Sequence, residues 1–591
     1  MRSRRAVRIL GGVVALACLA GCASVPSGGR VVSGRSAERA EPIAEPYVRL
    51  VPVRPRHNWT PDDIVKGFLT AAAGFNNDHE VAREYLTPTA NASWRPGPRP
   101  EVIVTESAPS LSQQNGGTLV QVAATRLGHI ASDGQYTAQS GTTYVTSFGL
   151  VRDANAQWRI NRVPTELQRG LLLSGSDVDR AFRVLNLYFF EPDGNVLVPN
   201  GISLPLVNRQ ELPRQLVQAL LAGPTTWLKP AVRSFFPAGT RLRGISISEG
   251  IATVDLSSEA HLGGEERMAA QLTWTLQRLP EVRQVKMQID GDTIDPGGLG
   301  QIQSAEEWER FNSDTSRGRT EEIAYLRGAD GRPHQLLDND AIATGTKGDD
   351  HLYRPALSSD RLIAGLDSAG DTVLSGDLLG GVPVRPVLEA QHPDGRLTPP
   401  SWDHRGALWT VESFRTGSTL WVRPEGRQPI RVARWELSGH EVLALRVARD
   451  GVRVAVIVKI GGSRQLRLGR IVRSAGGVIE VGRFLPISSE LVDAVDLAWS
   501  DSSALAVLGR TKATATQVTP YSVPVSGGSI TPIGSGILGE AKSITAAPNS
   551  RIIIGAENNG KNSICRQSNL REWRFGEWNC DPLGSDPTYW G

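Results

Sequence analysis

From about residue 320 to its end the chain repeats, and that repeat restricts its fold more than any other feature. A turn bearing a small polar or acidic residue is followed five times by an apolar, strand-like run. The units are Ser359-Asp360-Arg361-Leu362-Ile363-Ala364, Trp402-Asp403-His404-Arg405-Gly406-Ala407-Leu408-Trp409, Ala448-Arg449-Asp450-Gly451-Val452-Arg453-Val454-Ala455, Trp499-Ser500-Asp501-Ser502-Ser503-Ala504-Leu505-Ala506 and Ala547-Pro548-Asn549-Ser550-Arg551-Ile552-Ile553-Ile554. The aligned Asp/Asn positions lie 43, 47, 51 and 48 residues apart. Short strands and polar turns at this period are the signature of β-propeller blades. A single blade cannot bury both of its faces, so blades must ring together. Residues 320–591 have room for about five to seven blades at this period. The Asp or Asn of each unit is expected to order its turn by accepting nearby backbone N–H groups. Calcium binding is excluded as the purpose of these turns, because none carries closely spaced carboxylates.

Upstream, two stretches mix helix and strand signals. In the first, residues 58–170, Thr60 can cap a helix that has Pro61 at its first position and Asp62 and Asp63 in its first turn. Ile64, Val65, Phe68, Leu69 and Ala72 follow at helical spacing, and Gly74 ends the run. A second short helix places Val81, Ala82, Tyr85 and Leu86 on one face, with Pro88 as its stop. Strand-like runs follow at 101–105, 118–126, 142–152 and 157–163. Helices first and antiparallel strands after describe an α+β cone, and the order resembles the nuclear-transport-factor-2-like (NTF2-like) fold. In the second stretch, residues 180–300, strands are expected at 184–190, 244–248, 251–256 and around Val285, Met287 and Ile289. Helices are expected at 212–221 and 265–279. The segments 216–224, Phe235-Phe236-Pro237-Ala238-Gly239-Thr240 and Ala252-Thr253-Val254-Asp255-Leu256 resemble the GerMN domain, first known from spore-germination lipoproteins. Glu249 and Asp255 are read as structural, one in a turn and the other pointing off a strand.

The N-terminus is an export signal. Arg2, Arg4, Arg5 and Arg8 precede an apolar run at 9–20, too short to span a bilayer permanently. Leu19-Ala20-Gly21-Cys22 resembles the lipobox of bacterial lipoproteins. The resemblance implies cleavage between Gly21 and Cys22 after residues 1–21. It also implies an S-diacylglycerol thioether and an N-acyl chain (palmitate) on Cys22, giving a stable anchor. Residues 22–57 are rich in Ser, Gly, Arg, Glu and Pro and read as a flexible tether. Of the four cysteines, Cys565 and Cys580 remain for the folded part, and in an exported chain a pair this close reads as a disulfide.

Composition closes several routes. With 64 basic and 61 acidic residues the net charge is +3, which gives no support for a nucleic-acid partner. The sequence carries no phosphate-binding glycine loop, no dinucleotide fingerprint, no His-Glu-x-x-His and no Gly-x-Ser-x-Gly elbow. The nine histidines include no i, i+4 pair. No catalytic residue, metal site or cofactor is expected beyond the lipid on Cys22.

Lipobox, tether, NTF2-like domain, GerMN-like domain and propeller, taken in that order, resemble the LpqB family of actinobacterial lipoproteins. The run Ile64-Val65-Lys66-Gly67-Phe68-Leu69, the run Ala82-Arg83-Glu84-Tyr85-Leu86-Thr87 and the Cys-bearing C-terminus carry the likeness further. The resemblance implies a non-enzymatic accessory at the outer face of the cell membrane. Family members associate with the extracellular part of the MtrB sensor kinase and influence its response regulator, MtrA, in envelope homeostasis and division. A second reading is a surface protein that binds or hydrolyses cell-wall carbohydrate through the propeller. Two carboxylates about 5 to 9.5 Å apart in the propeller mouth would favour it, and a plugged mouth would favour docking.

Overall fold

Helix formation begins where the sequence supplies a cap. In the computed structural model, Thr60 accepts the backbone N–H of Asp63, and the Asp63 carboxylate accepts that of Thr60, a complete capping box. The structure describes residues 52–590 apart from 76, 207–209, 316–322, 338–339, 348–350, 475, 535–536, 538 and 568–576. The Pro61–Ala72 helix buries Ile64, Val65, Phe68 and Leu69 against a six-stranded sheet. The spine of that sheet runs Trp158–Arg162, Tyr136–Arg152, Leu119–Ile130, Glu101–Thr105 and Gly170–Ser174, with Ser110–Gln114 alongside Leu119–Ile130. Phe68 packs edge-on to both Trp94 and Phe148, with centroids 5.1 and 5.9 Å away.

Two local expectations give way here. Pro88 does not merely stop a helix. It opens a third one, Pro88–Ser93, capped by the Thr87 hydroxyl, because proline's missing N–H is harmless at a first helical position. The sheet also runs past residue 170, since Gly170–Ser174 pairs in parallel with Glu101–Thr105.

The middle domain packs the helices Leu212–Ala222 and Glu265–Leu276 on a sheet ordered Asp292–Thr293, Gln284–Ile289, Ile251–Leu256, Leu242–Ser248. Ile251–Leu256 and Gln284–Ile289 are parallel, joined by the second helix. That helix ends at Leu276, short of the expected 279, because Pro280 disfavours helical geometry just before it. A separate ribbon pairs Phe182–Phe190 with Leu197–Pro205. Its second strand holds Pro199 and Gly201, which mask it in the sequence.

The described residues after 322 form six sheets arranged as blades. Four begin with their innermost strand and run outward, as in Tyr353–Leu357, Leu362–Leu366, Thr372–Asp377 and Arg385–Glu389, and a fifth does the same from Val442–Val447 after a short first strand, Arg434–Trp435, that pairs in parallel with its outer strand Ile479–Pro486. The sixth is shared between both ends of the propeller sequence. Tyr325–Arg327, Pro333–Leu336 and Ala341–Ala343 supply three strands, and Ser585–Thr588 adds the innermost one. That antiparallel pairing closes the ring.

Candidate functional site

Each repeat turn joins the innermost strand of a blade to its second strand, so all five lie on one face of the propeller. Asp403 Oδ1 accepts the N–H groups of Arg405 and Ala407 at 2.9 and 3.0 Å. Its Oδ2 accepts the Trp409 indole and pairs with Arg473, both at 3.0 Å. Asp450 Oδ1 accepts from Val452 and Arg453 at 2.8 and 3.1 Å, and Asp501 Oδ1 from Ser503 at 2.6 Å. In the first repeat the expected acceptor, Asp360, is replaced by Ser358, whose hydroxyl takes the N–H groups of Asp360 and Leu362. In the last, Asn549 contributes backbone geometry, with φ of 57° in the left-handed region that Asn tolerates.

The residues just after these turns hold the middle domain. Asn186 donates to the Ser503 hydroxyl at 2.9 Å. Arg405 pairs with Glu191 at 2.8 Å and with Asp193 at 2.7 Å. Glu191 is buried and also orders its own turn through the N–H groups of Asp193 and Asn195. Val452 joins Val198, Leu228 and Ala231 in an apolar cluster, with Trp227 and Val472 against it. The Trp227 indole donates to the Arg483 carbonyl at 2.6 Å. Burial holds the His404 imidazolium below the usual histidine range at this joint. The first domain is keyed in as well. Asp133 accepts the Thr226 N–H at 2.8 Å, and the Gly134 carbonyl accepts that of Ser203 at 2.9 Å. The neighbouring Tyr136 ring packs against Gly527, and burial pushes its hydroxyl up to about 12.

The segment leaving the middle domain enters the propeller on the same face. Asp314 accepts the Ser502 hydroxyl at 2.7 Å. It keeps some contact with solvent but is densely surrounded, and that burial, helped by the Asp501 charge, pushes its carboxyl up. Asp314 and Asp501 share a cavity with about 10 Å³ open to water, room for a single molecule. Arg449 and Trp499 form the far wall of that cavity and also line a second one along the propeller channel. The channel cavity has about 50 Å³ open to water and is walled by Arg354, Arg446, Asp496, Ser543 and Trp590 among others. Asp496, 1% exposed, pairs with Arg354 at 2.8 Å and lies 3.9 Å from Arg446. The Oδ2 that pairs with Arg354 also accepts the Ile544 N–H at 3.0 Å, while Oδ1, on the side of Arg446, is buried with no hydrogen-bond partner among the described residues. Arg449 stacks 4.5 Å over the Trp590 ring and donates to the Trp590 carbonyl.

Of the residues singled out in the sequence, Gly21 and Cys22 lie outside the described residues. Cys565 and Cys580 are joined by a disulfide across the paired strands Lys561–Gln567 and Trp578–Asp581, the outer hairpin of the last blade. Trp578 is buried beside it. Asp255 accepts the Gly291 N–H and lies 3.7 Å from Arg243, a structural use. Among the described residues no group of three His, Cys, Asp or Glu is placed to hold a metal ion, and no helix is long and apolar enough to cross a membrane. Sequence reasoning missed Asp314, Arg354, Arg446 and Asp496. Arg354 and Arg446 share one signal, a lone charge on an innermost blade strand shortly before the repeat turn, whereas Asp496 sits on a strand that also carries Asp493 and Asp501.

Comparison with known proteins matches residues 54–179 to the family described as "Lipoprotein LpqB, N-terminal domain". Residues 186–295 match "Sporulation and spore germination", and 340–576 match "Lipoprotein LpqB beta-propeller domain". A relative named Lipoprotein LpqB from Thermobifida fusca is 32% identical, covering 95% of this chain and 96% of its own length. One of the same name from Streptomyces coelicolor is 33% identical over 87% and 88%. Another, from Mycobacterium tuberculosis, is 26% identical over 75% and 76%.

Proposed function

This chain belongs to the LpqB lipoprotein family, and from that premise we propose that it is a non-enzymatic accessory protein of a two-component system. It is anchored at the extracytoplasmic face of the cell membrane by lipid on Cys22, after cleavage between Gly21 and Cys22. It docks on the extracellular domain of an MtrB-like sensor histidine kinase and modulates signalling in envelope homeostasis and division. It uses no cofactor and no nucleic acid.

The observation that carries this reading is the locking of the three folded domains through the repeat-turn face. Buried ion pairs, indole and amide hydrogen bonds and a shared apolar cluster make one body from 52 to 590. A rigid body on a long tether is suited to presenting a surface. Confinement to the membrane raises the effective concentration of both partners, so a weak interface is enough.

Hydrolysis of wall carbohydrate finds less support. The carboxylates that converge, Asp314 and Asp501, enclose space for one water. Asp496 in the channel is engaged by two arginines, and the channel cavity holds on the order of four waters.

The test is crosslinking in intact membranes, with pull-down of the mature chain by the purified kinase extracellular domain. Capture in solution should survive Cys22→Ser, while signalling in cells weakens. Absence of capture by the full mature chain overturns the docking.

A further inference from the structure

We propose that the outer cleft between two neighbouring blades is a docking site for an acidic peptide segment of a protein partner, seated by one apolar side chain. One blade is that of Thr372–Asp377 and Arg385–Glu389, and the other that of Leu408–Phe414, Gly417–Arg423 and Ile430–Arg431. Val373, Val387, Leu388, Leu408, Trp421 and Pro429 wall the cleft, with Arg423 beside them. It has about 10 Å³ open to water, room for one methyl-sized group.

Strand register places cations on both walls. Leu408 pairs with Arg423, Thr410 with Trp421 and Trp421 with Arg431, so Arg423, Trp421 and Arg431 share the face that holds Leu408. Across the cleft, Arg385 pairs with Ser375, on the face of Val373. Arg385 and Arg431 are exposed and Arg423 is half-buried. None of the three makes an ion pair or a side-chain hydrogen bond among the described residues. Elsewhere in the propeller, Arg434 pairs with Glu480, Arg464 and Arg510 share Asp493, and Arg566 pairs with Asp581. Carboxylates near the cleft do not supply the missing partners. Glu412 is buried and accepts the Trp421 indole at 3.0 Å and the His392 N–H at 2.6 Å. Glu389 pairs with Thr372 on the opposite face of its blade, and Glu425 packs toward Gly406.

The occupant follows from this chemistry. Unmatched guanidinium groups around an apolar seat are complementary to carboxylates that flank an apolar residue. A seat for one methyl-sized group admits the tip of a leucine or valine and excludes an acyl chain, which favours a peptide over a lipid surface. The site deepens the docking reading and rests on it only for which protein carries the segment.

The experiment is fluorescence anisotropy of a labelled peptide, Asp-Glu-Leu-Asp-Glu, titrated with the full mature chain carrying Cys22→Ser. The peptide should bind saturably and more weakly at high salt. Its counterpart with serine in place of leucine should bind about tenfold more weakly. Arg423→Glu combined with Arg431→Glu should lose the acidic peptide and gain Lys-Lys-Leu-Lys-Lys, a gain that misfolding cannot produce. Failure to saturate, equal binding of the serine peptide, no gain of the basic peptide, or displacement of the acidic peptide by phosphatidylglycerol vesicles would each overturn the site. Pull-down by the kinase extracellular domain separates the two readings. Peptide binding without kinase capture removes the kinase as partner and keeps the site. Kinase capture unchanged by the double charge reversal removes the cleft as the docking surface and keeps the kinase.

Discussion

At Asp450 one carboxylate holds a turn and neutralises a buried cation. It accepts the Val452 and Arg453 N–H groups and pairs with the Arg453 guanidinium, whose side chain is 2% exposed. Removing one partner of a buried pair strands the other, at a cost of about 3–5 kcal/mol. Asp450→Ala should lower the denaturant midpoint of the propeller accordingly. Adding Arg453→Met should recover part of the loss, and additive losses in that double variant would refute the pairing as the cause. Asp314 is the opposite case. Burial raises its carboxyl in the folded state, so the folded protein holds that proton to higher pH than the unfolded chain does. Its contribution is fully present below the ordinary carboxylate range and is lost as pH rises through the folded value. Asp501, Arg449, Asp450 and Arg453 surround the same cavity. Asp314→Asn should therefore be more stable than the parent at neutral pH, with the two converging in acid, as urea unfolding at several pH values would read. A less stable Asn variant at pH 7 would contradict this account.

Elements here are held by chemistry near their ends. The capping box of Pro61–Ala72 makes Thr60→Ala a loss of about 1 kcal/mol, measurable in the first domain's unfolding. In the last blade, the cysteine pair faces across the hairpin with a sequence separation of 15. In the chain-entropy picture such a link stabilises by about 3 kcal/mol. Replacing both cysteines by serine should lower the propeller's melting temperature while leaving the ring closed, because closure rests on Ser585–Thr588 pairing with Tyr325–Arg327. Loss of the folded propeller in that variant would mean that the disulfide, and not the strand, closes the ring. The elements hidden from sequence reading included the strands Ser110–Gln114 and Leu197–Pro205, exposed and polar in one case and broken by Pro and Gly in the other. Neither carries a clean alternation of apolar residues.

For the molecule as a whole, the joint between the middle domain and the propeller decides whether it moves as one body. Trp227 contributes both an indole hydrogen bond to Arg483 and apolar cover for Leu228 and Val452. Trp227→Ala should loosen the joint without unfolding either side. Limited proteolysis would then cut between the two domains faster, while each retains its own melting transition. Unchanged cleavage would show that the Arg405 and Asn186 contacts suffice by themselves.

The repeat of about 47 residues and the helix caps were legible because each rests on local chemistry: a turn acceptor, a hydroxyl before a proline. From these and the family resemblance the sequence by itself determined that the C-terminal half is a ring of blades, that two α+β domains precede it, and that the chain is of the lipoprotein kind. It did not determine that there are six blades, because the sixth is built from both ends of the propeller sequence and carries no repeat turn. Nor did it reveal that the repeat turns mark the face on which the middle domain sits, or that Arg354, Arg446 and Asp496 meet in the channel. Those residues lie on different blades, and only closure of the ring brings them within reach of one another.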